Sequence, residues 1–136
     1  MNRWPSVAVA VFGASAVLLG AFGAHALRGM MTPDAMQVWH TAVGYQFWHT
    51  LALGLVALML RGSFIEKCGR HGHFLILALR TSAIAFVLGI VLFCGSLYAL
   101  TLGAPLWLGA VTPIGGVAFI VGWIALGIAS MREFVE

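Results

Sequence analysis

The chain has 136 residues, of which 62% are hydrophobic and only 8% are charged. A water-soluble domain carries about 25% charged residues, so a soluble globular protein is excluded because too few charges are present to cover its surface. The net charge of +3 comes from basic residues scattered along the chain, and the lipid bilayer is therefore the expected partner rather than nucleic acid.

Four apolar stretches are long enough to cross a bilayer, which takes about 20 helical residues. The second stretch follows Thr32-Pro33-Asp34, where Thr can cap a helix, Pro fits its first turn and Asp suits its positive end. The fourth stretch opens with the similar pair Thr112-Pro113. The sequence predicts one all-α domain over residues 1–136, an integral membrane bundle of four transmembrane helices at about residues 5–27, 35–61, 81–101 and 113–131.

The apolar run 74–79 lies directly before Arg80 and allows two arrangements. In the first, the run is a segment at the membrane interface, and the third helix begins after it. In the second, the third helix begins earlier, and Arg80 extends its charged end to the headgroups. We favour the interfacial segment.

The basic residues predict the orientation, because loops with an excess of Lys and Arg stay in the cytoplasm. Only Arg28 falls between the first and second helices, and no basic residue falls between the third and fourth. Since an even number of spans puts both ends on one side, the N and C termini are predicted to be cytoplasmic. The six residues on that side are Arg3, Arg61, Lys67, Arg70, Arg80 and Arg132.

Small side chains recur along the first and fourth helices at a spacing that alternates between three and four. Membrane helices associate through such residues, and an average period of 3.5 favours left-handed packing at about +20°. We expect each stripe to pack against a neighbouring helix, in the same chain or in a second copy. The stripes are Gly13, Ala16, Gly20 and Gly23 in the first helix, and Gly115, Ala118, Gly122, Ala125 and Ala129 in the fourth.

Polar residues concentrate in the outer half of the first two helices, as His25, His40, Tyr45 and His49. Tyr45 and His49 are four residues apart and share a helix face. His40 and His49 are nine apart, about 180° around a helix, so one helix cannot direct both at one ion. These four residues form a candidate binding cluster for a cofactor.

His49 lies deepest in the predicted span, where an ionisable group is costly and points to a function. As a functional group it would be a proton relay, an axial haem ligand or a hydrogen-bond donor to a quinone headgroup. As a structural group it would be a neutral imidazole that bonds Tyr45 or another helix.

Catalytic patterns are missing from the sequence. No phosphate-binding loop, carboxylate pair or Ser-His-Asp order is present, no acidic residue lies in any predicted span, and Asp34 at the outer rim is the only candidate carboxylate. Cys94 has no neighbouring base or positive charge that would activate a thiol. We therefore predict neither a catalytic residue nor a metal site.

Four blocks of the sequence carry a family resemblance. They are residues 20–27, the set Trp39, Thr41, Ala42, Tyr45 and His49, residues 92–98, and residues 112–116 followed by Gly122-Trp123. In order and spacing these blocks resemble the domain-of-unknown-function 423 family of small bacterial membrane proteins, which is similar to eukaryotic transmembrane protein 256. The resemblance covers nearly the whole chain and implies a four-span, multi-pass protein of the bacterial inner membrane. It implies no substrate, cofactor or catalytic residue, and the family usually has Ser at the position of Cys94.

Three functions follow from these observations. The first is a non-enzymatic accessory or assembly factor that acts by helix packing, since small-residue stripes are present and catalytic groups are missing. The second is a binder of a redox cofactor or quinone, of unknown identity, at the outer half of helices 1 and 2. The third is a small oligomeric permeation protein, since four short helices enclose little water alone. The expected partners are the bilayer and either a second copy or another membrane protein.

Overall fold

The computed structural model describes residues 3–61 and 72–131, and every regular element within these ranges is a helix. Four of the helices are long and apolar enough to span a membrane. This confirms the predicted all-α bundle. The four are α1 (Trp4–Leu27), α2 (Pro33–Met59), α3 (Gly72–Thr101) and α4 (Leu106–Met131).

Helix α2 begins where the sequence predicts. Thr32 has extended backbone angles, and its hydroxyl oxygen accepts a hydrogen bond from the Ala35 amide at 3.2 Å. Pro33 and Asp34 occupy the first turn. With 27 residues, α2 is about 40 Å long, whereas the hydrocarbon core of a bilayer is about 30 Å thick. The helix is therefore longer than the hydrocarbon core is thick, as expected if its first turns lie near the rim of the membrane.

The expectation that the third helix begins only after residues 74–79 is wrong, because α3 is a continuous helix from Gly72. Leu75 and Leu79 are four residues apart on one face, and both are buried in the core. Arg80 follows on the exposed side of the same helix. Burial of this leucine face explains why the run continues the helix.

Helix α4 also begins before the predicted residue 113. A 3₁₀ turn, Leu106–Ala110, leads directly into the α-helix Val111–Met131. The Thr112 hydroxyl lies 2.7 Å from the Ser96 hydroxyl of α3, so the side chain that looked like a cap instead joins two helices.

Two π-helical turns interrupt the helices. Gly23–Leu27 ends α1, and Ile90–Cys94 lies within α3. A π turn holds one more residue than an α turn and so shifts the side chains that follow it. At the second π turn, Gly115 of α4 approaches the backbone of Phe93 so closely that a Cβ atom would overlap it.

The helices contact each other mainly in chain order, with α1 against α2, α2 against α3 and α3 against α4. The core lies among α2, α3 and α4, where Leu53, Leu79 and Phe86 are fully buried. Tyr45 and His49 of α2 contact the rings of Phe119 and Trp123 of α4. This arrangement places an aromatic cluster between α2 and α4.

The small residues of α1 and α4 face neighbours within the same chain. A Cβ atom on Gly13 or Gly20 would contact α2, and one on Gly23 would overlap the indole of Trp39. Gly115 and Gly122 face α3 in the same way. Of the other stripe residues, Ala16, Ala125 and Ala129 are buried, whereas Ala118 is half-buried.

Candidate functional site: a polar and aromatic cluster between α2 and α4

The imidazole of His49 is held by its own helix. The ring is only 7% exposed, and its Nδ1 lies 2.7 Å from the carbonyl oxygen of Tyr45. A carbonyl oxygen can only accept a hydrogen bond, so Nδ1 carries the hydrogen. In the neutral imidazole, Nε2 is therefore an acceptor with a free lone pair.

Aromatic rings from α3 and α4 surround His49 and Tyr45. The imidazole stacks on Phe119 of α4 with ring centroids 3.5 Å apart and planes 14° apart. Tyr45 stacks on Phe93 of α3 at 4.7 Å and 23°. Phe86 and Trp123 lie at 5.8 and 6.1 Å from His49. Tyr45 and His49 thus face α3 and α4 rather than α1.

Two polar atoms in this cluster lack a protein partner among the described residues. Neither the hydroxyl of Tyr45 nor Nε2 of His49 forms a hydrogen bond there. No fully enclosed side-chain nitrogen or oxygen in the described part of the chain is unpaired, so Nε2 is not fully enclosed. Tyr45 is 43% exposed, and the cluster therefore opens to the surroundings of the bundle.

The other two histidines of the predicted cluster lie elsewhere. His25, in the π turn that ends α1, and His40 are both exposed. His40 precedes His49 by nine residues, which is about 13 Å along α2 and on its opposite side. No group of three or more His, Cys, Asp or Glu residues within 3–61 and 72–131 is arranged to hold a metal ion. Of the four candidates, the structure brings Tyr45 and His49 into contact.

Gln46, which the sequence analysis missed, is the centre of a buried polar network. Its Nε2 donates to the Phe12 carbonyl at 2.9 Å and to the Ser15 hydroxyl at 2.8 Å, both on α1. Its Oε1 accepts from the Tyr98 hydroxyl of α3 at 2.9 Å. One side chain therefore joins three helices. The signal available in the sequence was an amide within an apolar span, where polar groups are costly unless they are paired.

The indole of Trp39 adds a second connection between α1 and α2. Its Nε1 donates to the Leu19 carbonyl at 3.0 Å, and its ring lies edge-on to Tyr98 at 4.8 Å. Trp39 is 1% exposed. The buried polar atoms of Trp39 and Gln46 between α1 and α2 are thus paired, in contrast to the cluster at Tyr45 and His49.

Hydroxyl groups join α3 to α4. Ser82 donates to the Gly122 carbonyl at 2.9 Å. Ser96 donates to the carbonyl of Phe93, three residues earlier, and also pairs with Thr112. Ser96 thus bonds within its own helix and, through Thr112, across to α4.

Comparison with known proteins identifies relatives over most of the chain. Residues 19–116 match the model of a family described as protein of unknown function (DUF423). The chain is 43% identical to the UPF0382 membrane protein YwdK of Bacillus subtilis over 117 residues, which cover 86% of this chain and 87% of that protein. It is 38% identical to the UPF0382 inner membrane protein YgdD of Escherichia coli over 133 residues, covering 96% and 92%. No solved structure matches the chain at a significant level.

Proposed function

The chain belongs to the DUF423 family of membrane proteins, and from that premise we propose that it is a non-enzymatic accessory or assembly factor of the bacterial inner membrane. In this proposal, α1 binds a helix of another membrane protein. The support is that the other helices of the chain bury few residues of α1. Its buried residues are Pro5, Ala16, Gly23 and Leu27, whereas eight residues of α2 are buried.

A second face of α1 carries the proposal. It presents four alanines and one valine outward at intervals of four, three, four and three residues, and all five positions are exposed. Small residues allow two helix backbones to approach closely in a bilayer. A helix face that contacts only lipid chains has no need of small residues. This outer face is defined as Ala10, Ala14, Val17, Ala21 and Ala24.

Replacing Ala14 with isoleucine is expected to reduce recovery of the partner at least about ten-fold, because a branched side chain keeps a second helix at a distance. The bundle itself should remain stable, since Ala14 is exposed. The measurement is affinity purification of the tagged full chain from its own host membrane, with the recovered partner quantified by mass spectrometry.

Leu18→Ile is the matched control, because Leu18 is also exposed on α1 and the volume hardly changes. Equal recovery with Ala14→Ile and with the control would contradict the proposal. Recovery of a second copy of this chain, and of nothing else, would replace the accessory role with a homo-oligomer.

We also propose that both termini lie in the cytoplasm, from the six basic residues on one side against Arg28 on the other. A green fluorescent protein fused to the C terminus should then fluoresce, and alkaline phosphatase fused there should be inactive. Fusions that end at Met30, between α1 and α2, should give the reverse pattern. Active phosphatase at the C terminus would overturn this orientation.

A second candidate function is the binding of a lipid-phase redox cofactor or quinone. The observation that favours it is that Nε2 of His49 and the hydroxyl of Tyr45 have no hydrogen-bond partner among residues 3–61 and 72–131. We therefore assign this candidate site to the cluster between α2 and α4, rather than to the outer half of helices 1 and 2. His25 and His40 are not part of it.

A permeation role gains less support from the structure. Leu53, Leu79 and Phe86 are fully buried among α2, α3 and α4 and fill the space where a pore through one chain would run. Permeation would therefore need a path between several copies.

A further inference from the structure

We infer that the cluster between α2 and α4 binds the reduced, hydroxyl-bearing form of a lipid-phase quinone in preference to the oxidised form. The inference rests on the redox-ligand function proposed above and names the form of the ligand. The observation behind it is the direction of one hydrogen bond. Because Nδ1 of His49 donates to the Tyr45 carbonyl, Nε2 offers a lone pair and therefore needs a donor.

The surroundings of His49 keep the imidazole neutral. A carboxylate would stabilise an imidazolium, and the only one among residues 3–61 and 72–131 is Asp34, in the first turn of α2. Asp34 is 15 residues from His49, or about 22 Å along the helix. The side chains that face His49 from α3 and α4 are the uncharged rings of Phe86, Phe119 and Trp123. Nε2 therefore remains an acceptor.

The bilayer core contains no donor of its own for this acceptor. Hydrocarbon chains form no hydrogen bonds, so an unpaired polar atom at this depth is unfavourable. A hydroquinone hydroxyl can donate to Nε2. The hydroxyl of Tyr45, which either donates or accepts, can pair with the same ligand.

The oxidised quinone fits these atoms less well. Its carbonyl oxygens are acceptors only, so one placed at Nε2 would set two lone pairs against each other. The Tyr45 hydroxyl would be its single donor. Occupancy by the oxidised form would leave His49 unpaired, whereas the reduced form pairs both residues.

The aromatic rings of the cluster suit a flat ligand. The Tyr45–Phe93 and His49–Phe119 pairs are stacked with small interplanar angles, and a further ring can continue such a stack. Tyr45 and Trp123 are 43% and 49% exposed, so a molecule dissolved in the bilayer reaches the cluster without crossing the bundle.

The test compares decylubiquinol with decylubiquinone on the full chain in lipid nanodiscs, under anaerobic conditions. Binding is measured as the excess of each form partitioned into loaded over empty nanodiscs. We expect the reduced form to bind at least ten-fold more tightly. His49→Phe keeps an aromatic ring but removes the acceptor, and it should bring the ratio of affinities to about one. His40→Phe, on the opposite side of α2, should leave the ratio unchanged.

The outcomes separate the inference from the function on which it rests. Equal affinity for the two forms, or tighter binding of the oxidised form, overturns the inference and leaves the redox-ligand function standing. Failure of both forms to bind contradicts that function as well. A haem absorption band that is lost in His49→Phe would mean that Nε2 ligates iron, which overturns the quinol assignment.

The ratio of the two affinities in the wild-type protein tests the preference for the reduced form even if His49→Phe does not fold. Tyr45→Phe is a milder variant, because Tyr45 is partly exposed and loses only its hydroxyl. It should weaken binding of both forms several-fold. A preference for the reduced form should survive in Tyr45→Phe, since Nε2 is intact, and its disappearance there would contradict the role assigned to His49.

Discussion

Replacing Gly115 with alanine is expected to lower the free energy of unfolding by about 3 kcal/mol. The added Cβ would overlap the backbone nitrogen of Phe93, in the π turn of α3. A backbone atom cannot rotate away as a side chain can, so α3 and α4 must separate. The measurement is denaturant unfolding in micelles, followed by circular dichroism.

Gly116→Ala is the matched control, since the next residue of the same helix has much more space. A Cβ there would lie 3.9 and 4.0 Å from two ring carbons of Phe93, an ordinary van der Waals contact. Alanine is the better helix former by up to about 1 kcal/mol, so this variant should be as stable as the wild type or slightly more stable. Equal stability of the two variants would contradict the close approach of α3 and α4 at Gly115.

Replacing Gln46 with leucine is expected to cost about 2 kcal/mol of stability, because three interhelical hydrogen bonds are lost and each contributes about 0.6 kcal/mol or somewhat more in a bilayer. The substitution weakens the attachment of α1 to the bundle, because Gln46 hydrogen-bonds to Phe12 and Ser15 of α1. The measurement is the same unfolding titration, with protease sensitivity of α1 as a second readout.

Tyr98→Phe removes only one of these bonds and should cost about 0.6 kcal/mol. The double variant should show coupling, because the Gln46–Tyr98 bond can be lost only once. Thr41→Val is the control, since the exposed Thr41 hydroxyl bonds only the Gln37 carbonyl of its own helix, and it should have little effect. Additive losses at Gln46 and Tyr98 would indicate that the network does not join α1 to α3.

Much of the fold follows from the sequence alone. Length and apolarity identified four spanning helices, and the Thr32-Pro33-Asp34 signal located the beginning of α2. These features depend on one segment at a time, through its hydropathy and its local hydrogen bonds. The order and spacing of four motifs also indicated the family to which the chain belongs.

The beginning of α3 was not predictable in this way. The charge of Arg80 favoured a third helix that begins after that residue. Because Leu75 and Leu79 are buried against other helices, α3 instead begins before them. The π turn at Ile90–Cys94 is likewise seen in the structure, where α3 lies against Gly115 of α4.

In the candidate site, one part follows from the sequence and another part only from the tertiary structure. The sequence by itself determined that Tyr45 and His49 share a face of α2, because helical periodicity relates residues four apart. The tertiary structure alone decided that this face meets Phe93 and Phe119, and that Nδ1 of His49 is the nitrogen that is bonded. In a bilayer the outer and inner faces of a helix are both apolar, so hydropathy does not reveal which helix lies opposite.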